Sequence, residues 1–160
     1  MKLTEHWTLE ELVHSSTAIR LGIDNTPDAG TIGNLRQLCI HTLEPLRVLV
    51  GQPLTPDSGY RCIEVNEAVG GVTKRYSDGS IDWSNISQHC KGEAADILKP
   101  QGMTLDELFA IAVKNVPFDQ AIFEGVWLHL SYRAAHCRGQ TMTATFINGK
   151  PHYTPRFINA

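Results

Sequence analysis

Helical and strand signals are segregated along this chain, and that constrains its fold more than any other feature. Thr8 followed by Glu11 forms a capping box, and Leu9, Leu12, Val13 and Ile19 recur at helical spacing until Gly22. A second helix is expected to open at Thr26 with Pro27 in its first turn. Its apolar face is Leu35, Leu38, Cys39, Leu43, Leu46 and Val50, with a kink or break at Pro45 and a stop at Gly51. Strand patterns dominate later, at residues 54–60, 94–98, 119–124 and 126–132. Residues 143–147 and 151–154 flank Asn148-Gly149 as a hairpin. Between these lie a short helix over 62–69, a polar stretch at 73–85 expected to be a long exposed loop, and a capped helix from Thr104 to about Val116. Helices first and strands later indicate an α+β domain rather than a βαβ alternation, and one domain is expected over residues 1–160.

Composition excludes several function classes. The net charge is −3 with 19% charged residues and no basic block, which gives no reason to expect nucleic-acid binding. No apolar run approaches the ~18 residues of a membrane span. The start, MKLTEHWTLEELVHSS, lacks the basic and apolar regions of an export signal. Synthesis in the cytoplasm is therefore expected, and the four cysteines, which form no CxxC pair, are expected to be free thiols.

Three segments carry chemistry. In Ser87-Gln-His89-Cys-Lys-Gly92-Glu-Ala-Ala-Asp96, strand alternation from Ala94 places Asp96 on a mainly apolar face. A carboxylate there is costly unless something pairs with it, and a metal ion would do so. In Glu124-Gly-Val-Trp127-Leu-His129-Leu-Ser131, Trp127, His129 and Ser131 share one face. A third segment, Ser58-Gly-Tyr60-Arg61 with Asn66 and Val69-Gly-Gly71, puts a guanidinium at a strand end, where it suits a carboxylate or an oxyanion. Cys90, beside His89, reads as core; His6, His14, His41 and His152 read as surface or packing residues. Tyr76 and Trp83 sit in the polar stretch.

In this order, SGYR…N…VGG, SxHxxGxAxD and WxHxS resemble the zinc D-Ala-D-Ala carboxypeptidases and L-alanyl-D-glutamate endopeptidases. Ile23-Asp-Asn-Thr-Pro27, Asn34-Leu-Arg and Leu43-Glu-Pro-Leu are similar to the phage and prophage members. The resemblance implies N-terminal helices packed on a small, mainly antiparallel sheet, a fold shared with hedgehog-type domains. It implies zinc ligands at His89, Asp96 and His129, an oxyanion-steadying Arg61, and a cleft lined by Ser87, Tyr60 and Trp127. Many members carry the general base three residues before the last histidine, where this chain has Val126. Glu124 is the best match, with Asp119 in reserve, although strand parity puts Glu124 opposite His129 unless Gly125 introduces a bulge. The implied protein is a monomeric peptidase of peptidoglycan stem peptides, a phage-type lysin reaching the wall through a pore or lysis. The competing reading is a zinc-stabilised, non-catalytic wall-binding or virion module; a zinc amidase is a further rival.

Overall fold

In a computed structural model, residues 1–157 are described. The architecture is α+β. A six-stranded sheet runs in the order β1-β4-β6-β5-β7-β8. Its strands are β1 (Thr55–Ser58), β4 (Ala94–Leu98), β5 (Gln120–Phe123), β6 (Trp127–Ser131), β7 (Gln140–Ile147) and β8 (Lys150–Pro155). All pairings are antiparallel except β5 with β7.

The helices are α1 (Leu9–Val13), α2 (Ser16–Leu21), α3 (Ala29–Leu38), α4 (Glu44–Val50), α5 (Ile63–Ala68) and α6 (Leu105–Asn115). Both capping boxes form, at Thr8 and at Thr104. The second long helix begins two residues later than expected. The Thr26 hydroxyl and backbone N–H both donate to Asp24, so Thr26 closes a local turn and Asp28 caps α3. Pro45 causes no break. The turn ahead of it, Cys39–Leu43, is a π-helix in which the Glu44 N–H reaches back to the Cys39 carbonyl, and Pro45 then sits in the first turn of α4.

The sheet has two unlike faces. On one side Ala95, Ile97, Ala121, Leu128 and Leu130 are buried against Leu108, Phe109 and Ala112 of α6 and against Leu35, Leu38, Leu43 and Leu46. On the other, the cross-strand partners Asp96, His129, Ile122 and Met142 form a row. Above this second face stands a two-stranded ribbon, β2 (Thr73–Arg75) and β3 (Ile81–Ile86), where a loop was expected. Ile86 is its only buried residue, so it has no continuous buried side to impose apolar alternation on the sequence.

Leu128 is fully buried between the sheet and the helices, whereas Val126, in the turn just before β6, is 62% exposed. Leu128→Ala is expected to lower the unfolding free energy by about 2–5 kcal/mol and Val126→Ala by less than about 0.5 kcal/mol, as measured by urea denaturation.

Candidate metal and catalytic site

The site is assembled where β4 and β6 run side by side. Asp96 and His129 are directly opposed in the ladder, and His129 Nδ1 lies 2.9 Å from Asp96 Oδ1. The third member arrives on a 3₁₀ turn, Gln88–Lys91, which Gly92 ends in a left-handed conformation just before β4. His89 Nε2 lies 3.4 Å from Asp96 Oδ1 and 3.2 Å from His129 Nδ1. All three residues are buried.

One hydrogen bond sets the orientation of His89. Its Nδ1–H donates to the Gly59 carbonyl at 2.6 Å. A carbonyl can only accept, so the proton resides on Nδ1 and the lone pair of Nε2 is turned into the site. Gly59 can come this close because it has no side chain: a Cβ there would lie 2.2 Å from the Leu12 carbonyl oxygen. That carbonyl also accepts from the Tyr60 N–H at 2.7 Å, which ties the segment to α1.

This donor set suits a metal ion. Two imidazole nitrogens and one carboxylate oxygen lie within 4.8 Å of one another. Ligands ~2.0–2.1 Å from a tetrahedral zinc stand about 3.3 Å apart, and the three separations here are 2.9, 3.2 and 3.4 Å. Burial disfavours the charged form of His89 and holds its pKa below the usual imidazole value, which keeps the lone pair free. Burial opposes ionisation of Asp96 too, but the adjacent His89 and His129 outweigh it and keep the carboxyl far below its ordinary range.

Asp96 turns its second oxygen to Arg61, whose Nη2 donates at 3.2 Å. The Arg61 backbone N–H donates to the His89 carbonyl at 3.3 Å. Arg61 Nε is a buried donor without an acceptor among the described residues. Around this cluster opens a cleft of about 880 Å³, lined among others by Arg61, Ser87, Glu124 and Trp127. Tyr60, expected in the cleft, packs instead between the main core and a smaller one at Ala18, Cys62 and Val65.

Glu124 stands on the same face as His129, and no bulge is needed to put it there. Phe123 pairs with Leu128, and Ile122 with His129, so Gly125 and Val126 form a two-residue reversal between the strands. Gly125 takes the positive φ, 80°, that such a reversal demands. Across a two-residue turn the flanking residues face the same way, which aligns Glu124 with Trp127 and His129. Burial, then the charge of Asp96, raises the Glu124 pKa; His129, Trp127 and Arg61 partly oppose the rise.

Asp119 has a different task. It is fully buried, accepts from the Arg138 backbone N–H and guanidinium, and takes a further bond from Gln88 Nε2 at 3.1 Å. With both oxygens occupied it latches the 138–140 segment to β5 and is not free to serve as a base. Cys39, Cys62 and Cys90 are buried free thiols, and Cys137 is a partly exposed one. His6 pairs with Glu44 and His41 stacks on Tyr132, both remote from the cluster in their contacts. The Gly59 carbonyl and the Gln88–Asp119–Arg138 latch escaped the sequence reading. A backbone acceptor leaves no trace in residue identity, and an Arg nineteen positions from its partner has no spacing signal.

The sheet, the flanking helices and a buried His-His-Asp cluster in an open cleft are the parts of a metal-dependent hydrolase. The family model described as Peptidase M15 matches residues 5–131, and the chain belongs to this family of metallopeptidases. No curated protein matches the chain. The matched region ends with β6, so β7 and β8 lie beyond it.

Removing Arg138 would leave a buried Asp119 carboxylate partly unpaired. Arg138→Met is expected to cost about 1–3 kcal/mol of stability while leaving zinc stoichiometry unchanged, as read by calorimetry and atomic absorption. In the metal-free protein, the folded-state pKa of His89 lies below its unfolded value of 6.5. The unfolded chain therefore binds more protons in acid, so stability falls as pH drops through that value. Thermal unfolding of wild type and His89→Gln between pH 8 and 5 should show a steeper loss in wild type.

Proposed function

We propose that this chain is a zinc peptidase that hydrolyses peptide bonds next to D-amino acids in peptidoglycan stem peptides. The observation that carries the reading is the convergence of three metal-type donor atoms within 4.8 Å in the same cleft as Glu124 and Arg61. His89, Asp96 and His129 would hold the ion. Bound there, zinc supplies a more acidic water and a polarised scissile carbonyl.

The protein's own groups do the rest. Glu124 is a base whose burial raises its proton affinity, so it can take a proton from the attacking water and return it to the leaving amine. Arg61 Nε, which has no acceptor among the described residues, is available to the oxygens of a bound peptide. The Arg61–Asp96 bond holds the guanidinium beside the reacting region. Ser87 adds a hydroxyl to the cleft wall. Carboxypeptidase and endopeptidase action both fit this arrangement. The similarity of the N-terminal segment to phage and prophage members supports a lysin acting as a monomer on the wall after release through a pore or lysis.

Purified protein incubated with cell walls should release new amino groups, and a chelator should abolish the release until zinc is restored. Wall binding without any release would instead support the non-catalytic module, and release of whole stem peptides with a free N-terminal amine, leaving bare glycan, would indicate an amidase. Glu124→Gln should retain zinc yet lose at least ~10²-fold in kcat. Wild-type-like turnover in that variant would place the base elsewhere. Because ionised Glu124 is the active form and its pKa is raised above 4.5, the acid limb of kcat/KM should have its midpoint above that value and vanish in Glu124→Gln. Arg61→Met should lower kcat/KM by ~10²–10³-fold.

A further inference from the structure

The face that carries Asp96 and His129 does not stop at β5. Alternation continues through Ile122 to Met142 on β7, and pairing of β7 with β8 brings Ala144 opposite Tyr153 and Phe146 opposite Pro151. Met142, Phe146, Gly149, Pro151 and Tyr153 all line the cleft. Phe146 is 55% exposed and Tyr153 50%, which leaves two aromatic rings uncovered on a sheet face. The Tyr153 hydroxyl is turned inward enough that burial, then the Glu124 and Asp96 carboxylates, raise its pKa. With strands ~4.8 Å apart, β7 and β8 lie roughly 10 and 14 Å from β6.

The chemistry of the cleft is divided. The β7–β8 shelf offers rings, a thioether, a proline and, at its start, the Gln140 amide, and none of its six lining residues is charged. The cations are elsewhere in the lining, at Arg61, Lys74, Lys91, Arg133 and Arg138. A stem peptide carries carboxylates and belongs with those cations. The shelf suits a neutral ligand that is apolar on its faces and polar at its rim, which describes a sugar ring.

We propose that the β7–β8 hairpin is a saccharide subsite, in which Phe146 and Tyr153 stack on the glycan strand that bears the stem peptide. The inference rests on the peptidase reading above and narrows it. A glycan held beside the metal cluster makes wall-attached stems better substrates than free stem peptides, and directs cutting toward the glycan-proximal part of the stem. The hairpin lies outside residues 5–131, so this preference would be particular to chains that carry the same extension.

The test is calorimetric titration of the metal-free protein with chitotetraose, which does not depend on turnover. Wild type should bind. Phe146→Leu/Tyr153→Leu keeps apolar bulk but loses both ring faces, and should bind about tenfold or more weakly. Tyr153→Phe, which keeps its ring, should retain most of the binding. Loss of both rings should also lower, by a similar factor, the ratio of kcat/KM for glycan-bearing to free stem peptide. No binding by wild type, or equal binding by the double-leucine variant, overturns the subsite. If wild type with zinc releases no amino groups from any wall substrate, the peptidase reading falls instead, and the titration still decides the saccharide question. Circular dichroism confirms that each variant is folded before it is scored.

Discussion

The pairing of Asp96 with His129 across two neighbouring strands is the constraint on which the rest of the site depends. A carboxylate on a buried sheet face has a large desolvation cost, and antiparallel register is what sets an imidazole opposite it. His89 completes the cluster from a short turn, and Arg61 takes the remaining carboxylate oxygen. The same strands bury Ala95, Ile97, Leu128 and Leu130 on their other side, so hydrophobic packing that fixes the strands also fixes the donors. Stability and chemistry are thus divided between the two faces of one sheet.

Much of this was legible in the sequence. Alternation set Asp96 with Ala94 and Leu98 and His129 with Trp127 and Ser131, and the β4–β6 register then brought the two residues opposite each other on one face. Helix starts at Thr8 and Thr104 were readable since their capping boxes are local, whereas the start at Asp28 depended on Thr26 turning its hydroxyl to Asp24 instead of capping the helix. The β2–β3 ribbon was invisible: it is exposed and polar, and a strand without a buried side carries no periodic signature.

The candidate site divides along similar lines. His89, Asp96, His129, Arg61 and Glu124 do gather around one cleft. Tyr60 does not join them, because its motif neighbour Gly59 gives a backbone carbonyl to His89 while the Tyr60 ring turns into the core. Asp119 is taken by Arg138 and Gln88. These are long-range partnerships, and no local pattern encodes them. The Gly59 contact also makes the docking of α1 part of the site, since the Leu12 carbonyl that crowds Gly59 holds Tyr60 in place.

The reversal at Gly125-Val126 has a bearing on how such enzymes diverge. What geometry holds constant is which way the carboxylate faces and how far it reaches, not how many residues separate it from the last imidazole. Glu124 takes its face from Ile122, two positions earlier on β5, so the length of the connection after it changes the count without turning the carboxylate. A tight connection with glycine first and a side chain of any size second preserves the arrangement while shifting the count. A fixed interval between acid and histidine is therefore a poor marker of this arrangement, since the carboxylate and the imidazoles meet in one cleft whatever the spacing along the chain.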